Sequence, residues 1–190
     1  NFGIRGSLTL TSPTLGGVLY VGDIKDITWT RFGSIASIVI EISTNGFADE
    51  SETTVIAAQT DATGTPAGSY KYSWTVNNLI GGVNKIRIKD FSNPTNVYSV
   101  SGTAFTIKGV LTLDYPNGGE TLVVDDPLRV RWTPRGTISN VKLDYSRDGG
   151  NNYSYTISAS TDCMTGYYDT TVPDAIGSNI KVKVSDPTDS

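Results

Sequence analysis

The sequence contains no histidine and a single cysteine among its 190 residues. The lack of histidine excludes catalysis by Ser-His-Asp or Cys-His systems, and it excludes metal sites that depend on imidazole ligands. One thiol can form neither an internal disulfide nor a cluster of thiolates. Aspartate and glutamate are therefore the side chains that could form an acid–base pair of carboxyl groups or supply charged oxygen ligands to a hard cation.

Long apolar runs and an excess of positive charge are also missing. No run of about 18 apolar residues is present, so the sequence predicts no membrane-spanning segment. The formal net charge is −4 at pH 7 and the isoelectric point is near 4.7. Nucleic acids and anionic membranes attract proteins with a dominant positive field. We therefore expect neither of them as a partner.

The sequence contains two copies of one pattern. Residues 8–46 align with residues 111–149, 103 positions later, with one single-residue gap. After a loop that is seven residues longer in the first copy, the alignment resumes at an offset of 96. A repeat of this length predicts two domains of the same fold. Matched pairs include Leu10 with Leu113, Trp29 with Trp132, Val76 with Val172 and Ile88 with Val184.

Each copy alternates apolar and polar residues, which predicts β-strands with one apolar face. Glycine-containing breaks such as Asn45-Gly46 and Asp148-Gly149-Gly150 predict tight turns between strands. We find no helical pattern. About seven short strands and a core tryptophan per copy predict an all-β protein of two tandem immunoglobulin-like β-sandwich domains. The expected core aromatic residues are Trp29, Tyr72 and Trp74 in the first copy and Trp132, Tyr145 and Tyr168 in the second.

Several motifs of the second copy are similar to those of a known family. They are Pro116-Asn117-Gly118-Gly119-Glu120, Trp132-Thr133, Ser146-Arg147-Asp148-Gly149-Gly150 and Val172-Pro173-Asp174. They resemble an immunoglobulin-like repeat of secreted and cell-surface proteins, related to the Ser/Thr-rich membrane-anchored domains of fungal cell walls. The resemblance covers nearly the whole chain, although Ser12-Pro13-Thr14-Leu15 replaces Pro-Asn-Gly-Gly in the first copy. It implies a spacer, scaffold or cell-envelope role, located outside the cell or on its surface, without catalytic residues.

The two copies differ at their ends. Phe105 and Ile107 belong to a segment that reads as the closing strand of the first sandwich, and the second copy ends before an equivalent segment. Phe2 and Ile4 align with Phe105 and Ile107 at the offset of 103. We therefore predict that residues 1–6 are a closing strand for a preceding or neighbouring domain. Residues 7–108 are predicted to form one sandwich, and residues 109–190 a second one that lacks its last strand.

Two arrangements explain these ends. In the first, the sequence is a window on a longer covalent array of repeats. In the second, residues 1–6 insert into the open edge of the C-terminal domain of the next subunit, and a head-to-tail fibre grows. Both predict a non-enzymatic structural segment of an extracellular fibre, surface layer or long repeat protein, assembled end to end with itself or with neighbouring repeats. The predicted assembly residues are Phe2, Ile4, Phe105 and Ile107.

A carbohydrate-binding or adhesion module is the alternative function. Tyr153, Tyr155 and Tyr167 are candidate contacts for a cell-surface glycan, because aromatic rings stack on apolar sugar faces. The same tyrosines would also suit the outer face of a β-sheet.

The carboxylates suggest one cofactor, Ca²⁺, which is bound by oxygen ligands. Candidate ligands are Asp114, Asp125, Asp126, Asp186 and Asp189. Their spacing matches neither an EF-hand loop nor a Gly-Gly-x-Gly-x-Asp repeat, so solvated turn carboxylates are the simpler interpretation. Glycoside hydrolysis needs two carboxylates facing each other across a sugar cleft. A two-layer sandwich of this size offers little room for such a cleft, and no catalytic residue is predicted.

Overall fold

A computed structural model describes residues 2–13, 16–63 and 70–189. The chain divides into two compact units, residues 1–108 and 109–190. The described residues form fifteen strands and one short 3-10 turn. The prediction of an all-β protein built of immunoglobulin-like sandwiches is confirmed. No helix in the described ranges is long and apolar enough to cross a membrane.

The first unit is a sandwich of two sheets. One sheet has the strand order β1-β3-β6, and the other has the order β2-β9-β7-β4-β5, with β8 paired to β7. All neighbouring strands are antiparallel except β2 and β9, which are parallel. The strands are β1 (Ser7–Ser12), β2 (Val18–Tyr20), β3 (Ile24–Phe32), β4 (Ser37–Ser43), β5 (Thr53–Asp61), β6 (Lys71–Thr75), β7 (Gly81–Asp90), β8 (Tyr98–Val100) and β9 (Phe105–Lys108).

The alternation in β4 and β7 builds the core of the first unit. Ile38, Ile40 and Ile42 of β4 are fully buried, and they face the other sheet, as period-two alternation requires. Trp29 of β3 packs among them and donates a hydrogen bond from its indole Nε1 to the carbonyl of Ala62 at 2.7 Å. That bond satisfies the polar end of a buried ring.

The second unit has two three-stranded sheets, with the orders β10-β11-β14 and β13-β12-β15. Trp132 repeats the role of Trp29, because it is buried and donates from Nε1 to the carbonyl of Cys163 at 2.9 Å. The strands are β10 (Val110–Tyr115), β11 (Pro127–Arg135), β12 (Asn140–Ser146), β13 (Tyr155–Asp162), β14 (Tyr167–Thr171) and β15 (Lys181–Ser185), and the 3-10 turn is Cys163–Thr165.

The hairpin loops after β4 and after β12 share the same bonds around a serine. Ser43 donates from Oγ to the side chain of Asn45 at 2.7 Å, and Ser146 donates to Asp148 in the same way at 2.5 Å. Each serine also accepts from a backbone N–H four residues later, at 2.9 Å in both loops. The glycine after Asn45 has a φ of 71° and the one after Asp148 a φ of 77°, a conformation that favours glycine. The predicted turns are therefore confirmed.

Candidate strand-acceptor groove

The closing strand β9 of the first unit is held along both edges. Its parallel partner is β2, where Leu19 pairs with Ile107. Its antiparallel partner is β7, where Gly81 pairs with Ile107 and Asn84 pairs with Phe105. Backbone bonds flank the parallel pairing, from Thr106 N to the carbonyl of Gly17 at 2.8 Å and from Val21 N to the carbonyl of Lys108 at 2.9 Å.

Alternate side chains of β9 enter the core. Phe105 is 2% exposed and Ile107 is fully buried, whereas Thr106 and Lys108 are half-buried. The Phe105 ring meets Trp74 edge to face, with 6.5 Å between ring centroids. An aromatic residue and an isoleucine two positions apart are therefore the side chains that close this sandwich.

No described residue of the second unit takes the place of β9. Strand β15, the counterpart of β7, pairs with β12 along one edge, and no described strand pairs with its other edge. The counterpart of β2 is residues 121–123, which form no strand. We identify this counterpart from matching bonds. Gly22 N donates to the carbonyl of Val76 at 2.9 Å, and Asp125 N donates to the carbonyl of Val172 at 3.0 Å.

Apolar side chains around this gap are more exposed than their counterparts in the first unit. Val21 is buried and Val124 is half-buried; Ile86 is fully buried and Val182 is half-buried. Leu122 is 39% exposed and Val123 is 61% exposed. A sheet edge beside an exposed apolar core is a ready template for an added strand.

The gap is an open groove with a volume of about 700 Å³. We call it the acceptor groove. Its volume falls within the ~300–1,000 Å³ that is typical of binding clefts. The apolar residues that line it come from both sheets and from the loops between them, and they include Leu113, Leu122, Val124, Tyr145, Ile180 and Val182.

Two charged residues, Glu120 and Lys181, line the acceptor groove. Glu120 accepts hydrogen bonds from the backbone N–H groups of Asn117 at 2.8 Å and Gly118 at 2.7 Å, and these bonds lower the pKa of its carboxyl group. Asp125 and Asp126 are exposed just beyond Val124. Asp125 adopts a φ of 65°, where its counterpart in the first unit is Gly22 with a φ of 81°.

The predicted donor of a closing strand is residues 1–6, and the structure describes residues 2–6 of it, which we call the terminal segment. It forms no strand in this structure, and Phe2 and Ile4 are 90% and 89% exposed. Gly6 marks the point where the segment joins the first unit. A Cβ atom at Gly6 would lie 2.9 Å from both the Ile35 side chain and the carbonyl of Phe32. Gly109 has the same close approach, to Ile138 and the carbonyl of Arg135.

The three tyrosines predicted to contact sugar do not form one platform. Tyr155 lies on β13 and stacks on Tyr145, with 5.0 Å between ring centroids. Tyr167 lies on β14, in the other sheet, beneath the guanidinium of Arg129 at 4.3 Å. Tyr153 precedes β13 and lies 5.0 Å from the ammonium of Lys183. Each ring thus has a neighbour within its own unit.

The candidate Ca²⁺ ligands are not gathered into one site. Within residues 2–13, 16–63 and 70–189, no group of three or more acidic or thiol side chains is arranged to hold a metal ion. Asp114 accepts from the hydroxyl of Thr133 at 2.7 Å, and Asp186 accepts from the N–H of Thr188 at 2.8 Å. Asp125 belongs to the turn described above.

Sequence reasoning named the donor residues but missed the residues that line the acceptor groove. The repeat offsets could have found them, because they carry Leu19 to Leu122, Gly81 to Gly177 and Asn84 to Ile180. The alternation pattern did not indicate them, because β2 has only three residues and shows no clear alternation.

The chain is similar to two solved structures of β-domain proteins. A scan against protein-family models found no match, and a search of curated proteins found no relative. The fibronectin(III)-like modules of Clostridium thermocellum CbhA are similar over 96% of this chain and 87% of theirs, at 19% identity and a TM-score of 0.31. The three N-terminal domains of the highly immunogenic outer capsid protein Hoc of bacteriophage RB49 are similar over 95% of this chain and 55% of theirs, at 12% identity and a TM-score of 0.25. Similarity at these levels says nothing about function.

Proposed function

We propose that the chain is a structural segment of an extracellular fibre, surface layer or long repeat protein, in which a neighbouring domain or subunit completes the second sandwich with a β-strand. The observation that carries the proposal is the difference between the two units. The first unit holds Phe105 and Ile107 of β9 in its core, and the second has an open groove at the same place.

Strand addition is favoured because it would both pair the open backbone edge and cover the exposed apolar side chains of the groove. An added strand would give hydrogen-bonding partners to the open edge of β15 and to residues 121–123. Its apolar side chains would cover Leu122 and Val182, which are exposed or half-buried in the structure. Burial of apolar surface contributes about 25 cal/mol per Å².

A catalytic role has no support in the chemistry of the chain. It has no histidine, and the carboxylates with lowered pKa values at Asp26, Asp148 and Asp169 are bonded within turns or to cations on their own sheet. We therefore propose a non-enzymatic protein. The motifs that resemble the secreted and cell-surface immunoglobulin-like repeat support membership of that family and a location outside the cell or on its surface.

The test uses Cys163, the only thiol of the chain, as a probe of the second unit. Cys163 is fully buried there, so labelling with a thiol reagent reports opening of that unit. A synthetic peptide of residues 103–108 is added to the Phe2→Ser/Ile4→Ser variant, in which the protein's own terminal segment cannot compete. A peptide in which both Phe105 and Ile107 are replaced by serine is the control.

We expect the native peptide to slow labelling of Cys163, by about tenfold when its concentration is ten times its Kd. The serine peptide should have no effect. Equal labelling rates with both peptides and without peptide, up to millimolar concentration, would contradict strand completion.

A further inference from the structure

We infer that the acceptor groove binds the terminal segment of a second copy of this chain, in one register: Phe2 opposite Ile180, and Ile4 between Leu122 and Gly177. The inference rests on the proposed function and names its partner, direction and pairing. It is argued from the position of β9 and from the repeat.

The register follows from matching bonds in the two units. Ile42 pairs with Ile86 in the first unit, and Tyr145 pairs with Val182 at the same place in the second. The segment that leads from each of these pairs to the groove has the same number of residues in both units, 81–86 in the first and 177–182 in the second. Gly177 therefore holds the place of Gly81, and Ile180 holds the place of Asn84.

The register of the donor strand against residues 121–123, its parallel partner, follows from matching bonds as well. The turn at Gly22 and the turn at Asp125 make the same bonds, so Leu122 holds the place of Leu19. Ile107 pairs with Leu19, and we expect Ile4 to pair with Leu122. Backbone bonds from Gly3 N to the carbonyl of Glu120 and from Val124 N to the carbonyl of Arg5 would complete the ladder.

The groove differs from the site of β9 in ways that suit an apolar strand. Asn84 is a buried amide that donates to the carbonyl of Gly81 at 2.7 Å, and Ile180 replaces it with an apolar side chain. Trp74, which meets Phe105 in the first unit, is replaced by Thr170. The smaller side chain leaves more room for the incoming ring of Phe2.

Charge favours a second copy as the source of the strand. The terminal segment carries one charged side chain, Arg5, which donates to the neutral side chain of Asn96 at 2.9 Å in this structure. In the inferred register Arg5 would lie opposite Val123, two residues before the exposed carboxylates of Asp125 and Asp126. Residues 109–190 hold 7 basic and 11 acidic side chains, whereas residues 1–108 hold 8 of each. An acidic acceptor and a basic strand attract each other.

The terminal segment is free to act as a donor strand. The first unit has its own β9 in place, so the terminal segment has no position to fill there. Phe2 and Ile4 are almost fully exposed, so both side chains are available to enter the groove of another copy. Because donor and acceptor are different surfaces, the contact is heterologous, and copies would add head to tail.

The experiment is a cross-link between copies in a Cys163→Ala background. The variant Ile4→Cys/Leu122→Cys places two thiols on the same face of adjacent strands, within the ~4.4–6.8 Å between Cα atoms that a disulfide needs. The matched control is Gly3→Cys/Leu122→Cys, because a shift of one residue turns the side chain to the opposite face. Mild oxidation is followed by a non-reducing denaturing gel.

We expect a ladder of multiples of 20.3 kDa with the first variant and at least tenfold less of it with the control. Equal ladders in both variants, or none in either, would overturn the register. A cross-link confined to single chains at all concentrations would overturn the second copy as donor.

The peptide experiment separates this inference from the proposed function. If the peptide of residues 103–108 protects Cys163 but no ladder forms, the groove accepts a strand and the inference about its source is wrong. If the peptide also fails, strand completion itself is contradicted.

The Ile24→Ser variant is the control for a general loss of exposed apolar surface. It removes a side chain of the first unit that is 73% exposed, and it should leave the assembly of otherwise unmodified protein unchanged.

Discussion

Ile107 lies directly opposite Leu19 in the one parallel strand pair among the described residues. Its side chain is fully buried, whereas Ile4, which has the same place in the repeat, is 89% exposed. Two isoleucines with equivalent sequence positions therefore have opposite environments. This difference can be measured directly.

Ile107→Ala should destabilise the first unit by about 2–5 kcal/mol, because it removes buried methyl groups and leaves a cavity. Ile4→Ala should change the stability of dilute protein by less than about 0.5 kcal/mol. Urea unfolding followed by tryptophan fluorescence measures both variants, and thiol labelling of Cys163 identifies the transition of the second unit. Equal losses in the two variants would contradict the structure.

Cys163 should be unreactive in folded protein. It is fully buried, and burial raises the pKa of its thiol, so little of the nucleophilic thiolate is present. We expect labelling at neutral pH to be at least a hundredfold slower than in urea. The control is Met164→Cys in a Cys163→Ala background, since Met164 is the neighbouring residue and is 74% exposed. Rapid labelling of Cys163 without denaturant would show that the core around Trp132 is open.

The loop serines should differ in the pH dependence of their contributions to stability. The hydroxyl of Ser146, with the N–H and side chain of Asn152, holds the pKa of Asp148 well below its ordinary value of 3.8. A lowered pKa in the folded state stabilises the protein above pH 3.8, and this stabilisation is lost as pH falls through the folded-state pKa. The loss of stability in Ser146→Ala should therefore shrink below a pH of about 4.

Ser43→Ala is the matched control, because Ser43 bonds to the neutral side chain of Asn45. It should cost about 1–3 kcal/mol, as two backbone N–H groups lose a buried partner, with no change between pH 6 and pH 3. Urea midpoints at several pH values test both variants. A Ser146→Ala loss that stays constant down to pH 2 would argue against the charge on Asp148.

Arg87 should be the most sensitive charged residue of the first unit. Its guanidinium bonds to Glu41, which is 6% exposed, and to Glu50 on the loop after β4, and it lies 4.3 Å from the ring of Phe47. Arg87→Ala should lower the free energy of unfolding by about 2–3 kcal/mol. This is less than the ~3–5 kcal/mol lost when a buried charge has no partner at all, because Lys89 still pairs with Glu41.

The double variant Glu41→Leu/Arg87→Leu is the control for Arg87→Ala. It removes both buried charges and keeps apolar volume, so it should be more stable than Arg87→Ala in urea unfolding. A double variant that is the less stable of the two would mean that the ion pair itself, and not the stranded carboxylate, determines stability.

The sequence predicts the strands that have clear alternation. Ile38, Ile40 and Ile42 point to one face because the side-chain period of a strand is two, and the structure buries all three. The two tryptophans, Trp29 and Trp132, mark equivalent strands because both copies keep the same indole hydrogen bond to a backbone carbonyl. These features depend on local pattern and survive without knowledge of the partner strands.

Features that depend on distant partners could not be predicted in this way. Tyr72, Tyr145 and Tyr168 were expected in the core, but all three are half-buried. Tyr72 and Tyr168 pack against the buried cluster of their own unit. For Tyr145 the reason is the acceptor groove, which it lines. The parallel pairing of Val18–Tyr20 with β9 joins segments almost ninety residues apart, and three residues carry too little pattern to indicate it. The positive φ of Asp125 could not be predicted either, because a positive φ is expected at glycine, and glycine occupies this position only in the first unit, as Gly22.

The two-sided bonding of β9 also has a mechanical consequence. A pull along the axis of β9 loads its ladders with β2 and β7 together, so many hydrogen bonds must shear at the same moment. A strand bonded along one edge, such as β15, shares the load over a single ladder. Under tension along these strands we therefore expect the second unit to be the weaker of the two, and a strand added as proposed would act as a mechanical lock.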